Sequence, residues 1–296
     1  MRQIIFISLT ALIVFGIIPA CSSSQSPGKR LVDQYSKTPY SPEQKPTEVK
    51  PAEQTTLKEI PNNESELTNT SHFEEMLKTA DKAIALNPNN SKAWCNKSAA
   101  LVGLSRYEEA LKTADKAIEL DPTIAEAYNN HGLAYYKQGS LDQAIADYNK
   151  AIELNPKYSG AYYNRGVLKL GKSDLDGAIA DFDMAIKLDP KLAMAYNNRG
   201  EGKRMKGDID GAISDYTKAI ELNPKYASAY HNWGLACYDK GDLDLDIANC
   251  TKAIELSPNF TEAYNNRGVA YKDKGDLNLA IADYNKARNL NPNDSK

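Results

Sequence analysis

Downstream of residue 90, apolar residues recur one helical turn apart in short runs, as at Leu133 and Tyr136 or at Tyr163, Val167 and Leu170, with polar residues between them. Every run is punctuated in the same way. A first run such as Glu126 to Gln138 stops at Gly139, and Gly207, Gly241 and Gly275 stand at the matching places; glycine takes the left-handed backbone that ends a helix. A second run opens after Ser140, Asp174, Asp208, Asp242 or Asp276, residue types whose side chains cap exposed amides. It closes ahead of Pro88, Pro122, Pro156, Pro190, Pro224, Pro258 or Pro292, since proline cannot continue a helix. The pattern predicts pairs of short helices and no strands.

The prolines, and the hexapeptide AYNNRG at Ala195 and again at Ala263, set a period of 34 residues. Repetition at this length signals a solenoid. Six units are expected, over 91–124, 125–158, 159–192, 193–226, 227–260 and 261–294, preceded by a half repeat, a single helix, over 71–90. Small residues recur at Gly132, Gly166, Gly200, Gly234 and Gly268 in the first helices and at Ala110, Ala144, Ala178, Ala212 and Ala280 in the second. Close helix crossings need small residues at such places. This arrangement resembles the tetratricopeptide repeat (TPR) family. The resemblance implies an all-α fold, a right-handed α-solenoid superhelix of helical hairpins with a concave and a convex face.

Comparing the copies predicts a polar seam. Arg165, Arg199 and Arg267 are each followed sixteen residues later by Asp181, Asp215 and Asp283, and His131 by Asp147. Where the cation becomes Trp233 or Lys97, the later residue becomes Asn249 or Thr113. The fifth unit departs further: Asp246 replaces a close-packing alanine, and Cys237 and Cys250 replace bulky residues. In the TPR arrangement those cysteines would face each other within one hairpin. Two outcomes stay open, a disulfide or a pair of reduced core thiols. At the end of the array Arg288 stands where earlier units have isoleucine, an adaptation to solvent that leaves Ile281, Tyr284 and Leu290 as an apolar edge a homodimer would cover.

Every unit carries asparagine at one place: Asn96, Asn130, Asn164, Asn198, Asn232 and Asn266. In TPR proteins that grip extended peptides, asparagine at the matching place forms a ladder whose carboxamides bond the ligand backbone. The resemblance therefore implies a peptide-binding groove lined by this ladder and by Leu133, Tyr136, Tyr163, Leu170 and Tyr238. A clamp for an acidic chain terminus is disfavoured: Lys92 and Arg204 are the well-placed cations, and Glu201 and Glu262 oppose them.

Composition narrows the rest. The net charge is −3 and 25% of residues are charged, which gives no basic stripe for nucleic acid. No catalytic motif, metal-ligand spacing or cofactor fingerprint is present, and His72, His131 and His231 sit apart from one another. The chain is expected not to be an enzyme. Residues 1–20 show Arg2, then an apolar run to Ile18, with Cys21 and serines after it, which is export-signal grammar. Ile18–Cys21 resembles the lipobox of bacterial lipoproteins, in which the cysteine carries lipid; a plain secretory signal and an uncleaved anchor are the alternatives. Residues 21–70, rich in proline and poor in apolar residues, read as a disordered tether able to span on the order of 40 Å. The expectation is a lipid-anchored scaffold of the cell envelope, on the periplasmic side of an outer membrane where the cell has one. A self-assembling structural lipoprotein or a regulatory subunit of an envelope enzyme are the alternatives.

Overall fold

The computed structural model describes residues 63–291, all in helices and short turns. The expected signal, Cys21, most of the tether and the last residues of the sixth unit lie outside the described residues. Thirteen helices follow in order: α1 (Asn63–Leu86), α2 (Ser91–Gly103), α3 (Tyr107–Leu120), α4 (Ala125–Lys137), α5 (Leu141–Leu154), α6 (Ser159–Gly171), α7 (Leu175–Leu188), α8 (Ala193–Met205), α9 (Ile209–Leu222), α10 (Ala227–Asp239), α11 (Leu243–Leu256), α12 (Thr261–Lys274) and α13 (Leu277–Leu290). Helix α1 starts at Asn63, so the stretch up to Thr70 is helical rather than tether. Pro61 is the last proline before it, and nothing beyond blocks the helix backbone.

The turns obey the sequence grammar with two variations. Gly139, Gly207, Gly241 and Gly275 have positive φ, between 80° and 89°, but in the first and third units Ser105 and Ser173 take that conformation instead. Asp174, Asp208 and Asp242 accept from backbone amides three residues on, whereas Ser140 and Asp276 make no side-chain cap bond.

Within each hairpin the two helices touch through the small residues. A Cβ at Gly200 would stand 2.8 Å from Tyr216 Cε1, and one at Gly166 the same distance from Phe182 Cε1. The glycine lets an aromatic ring of the second helix lie on the first, and Ala212 and Ala178 beside it are fully buried. The second helix then packs on the first helix of the next unit: Ile118 meets Ala127, and Ile152 meets Ala161. First helices also touch their counterparts one unit on. The chain thus stacks with α2, α4, α6, α8, α10 and α12 along the inner side of its curve.

The seam exists. Arg165 reaches Asp181 with Nε and Nη2 at 2.8 and 2.6 Å, Arg199 reaches Asp215 at 2.9 and 2.5 Å, and Arg267 reaches Asp283 at 2.8 Å with both. The remaining Nη1 donates backward to the preceding hairpin, to Asn149, Asp183 and Thr251 respectively. Each guanidinium so ties three successive helices together, a bidentate geometry that lysine cannot reproduce. His131 bridges Asp147 and Asp115 in the same manner. Lys97 pairs with Asp81 of α1 rather than with Thr113, which turns to Glu109 O.

In the fifth unit Trp233 occupies the arginine place, fully buried, and its Nε1 has no hydrogen-bond partner among the described residues. Cys237 and Cys250 are both buried and unbridged. Cys250 Sγ is turned to Asp246 Oδ1, 3.2 Å away. Burial pushes both thiols up, so neither is a ready nucleophile.

Candidate functional site, the inner face of the first helices

The asparagine ladder is continuous, but its donors are engaged inside the chain. Asn130 Nδ2 donates to Cys95 O (3.2 Å), Asn164 Nδ2 to Asn129 Oδ1 (2.9 Å), Asn198 Nδ2 to Tyr163 Oη (3.2 Å), Asn232 Nδ2 to Asn197 Oδ1 (3.1 Å) and Asn266 Nδ2 to His231 Nε2 (2.5 Å). In every case the acceptor belongs to the residue just before the ladder asparagine of the previous unit. Burial holds His231 down at about 4, so its ring is neutral and Nε2 accepts. The ladder is therefore first a staple between neighbouring units.

An amide nitrogen carries two hydrogens, so one such bond does not exhaust it. What remains differs along the array. Asn198 is buried and its Oδ1 accepts from Asn197, and Asn232 also bonds the His231 side chain. Asn96 is exposed, and neither it nor Asn130 or Asn164 has a bond to its Oδ1 among the described residues. The ladder is open at its first three rungs and again at Asn266, and closed at Asn198 and Asn232.

The flanking side chains divide the same way. Arg204 donates to Glu201 and to Asp239 (2.9 Å), and Tyr216 Oη donates to Glu201. Tyr238 Oη donates to Asp273 at 2.6 Å, and that bond raises Tyr238 to about 12. Around the fourth and fifth units, these polar groups of the inner face are spent on one another. In the first units Lys92 meets only the half-exposed Glu126, at 3.4 Å. Leu133, Tyr136 and Val167 are half-buried, with Tyr136 and Val167 resting on the cores of their units. Leu170 is a correction to the expected lining: it is 4% exposed and packs with Ala178 and Phe182. Tyr163 is half-buried against the same cluster and serves as the acceptor for Asn198. Arg204 and Lys92, the two cations expected to serve a clamp for an acidic terminus, are both paired.

Comparisons with known proteins fit this geometry. A family model described as TPR repeat matches residues 100–139, 132–173, 204–241 and 234–275, and models described as tetratricopeptide repeat match 79–112, 159–192 and 261–294. A comparison with the curated proteins found no match. Among solved structures, the Cut9–Hcn1 hetero-tetramer of the APC/C aligns at a TM-score of 0.69 and 20% identity, over 77% of this chain and 46% of that one. This chain thus spans under half of that relative's length. YrrB, described as a TPR protein with an unusual peptide-binding site, aligns at 0.50 and 25% identity over 62% of this chain and 95% of its own. PilF of Pseudomonas aeruginosa aligns at 0.62 and 16% identity over 69% and 92%.

Proposed function

Because the chain belongs to the tetratricopeptide repeat family, we propose that it is a protein–protein interaction scaffold which holds an extended segment of its partner along the first three units of the inner face. The observation that carries this reading is an unbroken run of open rungs: Asn96, Asn130 and Asn164 keep unbonded carbonyl oxygens beside Leu133, Tyr136 and Val167, while Asn198 and Asn232 are closed by internal bonds and leave Asn266 as a single open rung beyond them. A carboxamide bonds a backbone amide whatever the ligand's side chains, and the apolar residues beside it favour a partly hydrophobic segment. The staple fixes Asn130 and Asn164 before the ligand arrives, which lowers the ordering cost of binding. YrrB, with its peptide-binding site, is a related precedent at 25% identity.

The test is a triple replacement, Asn96→Ala, Asn130→Ala and Asn164→Ala, with affinity measured against the partner captured by crosslinking. Three bonds at about 1 kcal/mol each amount to about a hundredfold loss. Asn198→Ala, which removes a closed rung, should change affinity less than threefold. Unchanged affinity in the triple variant, with helix content intact, would remove the ladder from the mechanism.

The scaffold is further proposed to be membrane-tethered through a lipidated Cys21, on the strength of the apolar run and lipobox-like residues ahead of it. Cys21→Ser should move the protein from the membrane to the soluble fraction and abolish fatty-acid labelling. Retention of both would refute the anchor.

A further inference from the structure

The last helix differs from its siblings on the side that, elsewhere in the array, a further helix covers. At four earlier places Ile145, Ile179, Ile213 and Ile247 are half-buried, and Ile179 lies 3.1 Å from where a Cβ of Gly202 in the next unit would stand. Their counterpart Ile281 is 57% exposed, beside Leu277 at 58% and Leu279 at 50%. Tyr284 does not belong to this patch, because its ring lies over Gly268 of its own hairpin.

Charge changes together with exposure. The second helices of the second to fifth units carry an acid in the first turn, Asp142, Asp176, Asp210 or Asp244, and each pairs with a lysine of the following unit. In α13 this residue is Asn278. The pairs Lys116–Glu119, Lys150–Glu153, Lys218–Glu221 and Lys252–Glu255 end the second helices of the first, second, fourth and fifth units, but here Lys286 is followed by Asn289. At the isoleucine place that packs on the next unit stands Arg288, which donates only to Asn285 among the described residues. The one acid within α13, Asp283, is buried against Arg267.

We infer that the outer face of α13 docks an acidic amphipathic helix of a partner protein, with its apolar side on Leu277 and Ile281 and a first-turn carboxylate on Arg288. The socket has the shape of a helix site, since each earlier second helix is followed there by a helix. It is not a seat for a copy of α6, α8, α10 or α12, which bring the lysine that meets the first-turn aspartate where α13 offers no such acid; α4 has Gln138 at that place and so serves as a neutral template for a probe. Burial of apolar area would supply most of the affinity and the carboxylate pair the orientation. This surface is independent of the inner-face groove.

The probe is a synthetic peptide of residues 123–138 carrying Ile124→Glu, since Ile124 contacts the Ile118 place that Arg288 fills in α13. Its counterpart carries Ile124→Lys. The full-length chain should bind the glutamate peptide at least tenfold more tightly than the lysine peptide. Arg288→Glu should reverse that preference, and Ile281→Asp should abolish binding of both, each variant keeping the circular dichroism of the native chain. Three results would overturn the inference: equal binding of the two peptides; concentration-dependent dimerisation that Ile281→Asp abolishes, without peptide binding, which would assign the face to a second copy; and peptide-insensitive binding to phosphatidylglycerol vesicles lost in Ile281→Asp, which would assign it to a membrane.

Discussion

Replacing Asp246 by alanine is expected to stabilise the chain more at pH 7 than at pH 4, by about 2 kcal/mol in the difference between the two. Asp246 is 1% exposed, its Oδ2 has no hydrogen-bond partner among the described residues, and the thiol of Cys250 is its one donor. Burial raises its carboxyl to about 6, Cys250 works weakly the other way, and Asp239 and Asp242 add to the rise. In the unfolded chain an aspartate titrates near its ordinary value of about 4. Well below pH 4 the group is neutral in both states and costs nothing. As pH rises from 4 to 6 the unfolded chain gives up its proton first, so stability falls, and above 6 the full cost of an ionised buried carboxylate is present. Alanine stands at the matching place in the other units, fully buried or nearly so. Chemical unfolding of both proteins at the two pH values measures the effect, and a pH-independent difference would show that Asp246 finds a partner.

The second large effect is expected at the seam. Arg199→Ala should cost about 3 kcal/mol, because it leaves Asp215, 3% exposed, with Lys203 as its remaining cation, unties α8 from α7 and removes the bidentate link from α8 to α9. Arg288→Ala, on an exposed guanidinium bonded only to Asn285, should change stability by less than about 0.5 kcal/mol. A double-mutant cycle between Arg199 and Asp215 should give coupling of at least 1 kcal/mol. Zero coupling would reduce the seam to solvated charges.

Helix ends and the seam were legible in the sequence for the same reason: the chain repeats itself, so a constraint shows as residues that change together. Glycine and proline punctuate every unit, and the arginine at 165, 199 and 267 gives way to tryptophan exactly once, where the distant aspartate becomes Asn249. The ladder was legible as a row of asparagines but not as a staple. The signal was present in the residue before each one, since Asn129, Tyr163, Asn197 and His231 all carry an acceptor, yet their chemical variety hides a shared role. Leu170 was misplaced because helical spacing puts it one turn beyond Val167, whereas Ala178 and Phe182 of the second helix close over that turn. The two cysteines share a hairpin, and Cys250 donates to the carboxylate of Asp246, which repeat comparison marks as odd without saying where it points. The exposed edge proved to be Leu277, Leu279 and Ile281, since Tyr284 is held by the glycine beneath it.

Site-specific photo-crosslinking decides whether the partner lies along the inner face of the first units. A benzophenone side chain at Val167, half-buried between the open rungs, is predicted to capture the partner, and one at Ala180, exposed on second helix α7, is predicted to capture none. Capture from Ala180 with silence at Val167 would place the partner on the outer helices and contradict the account.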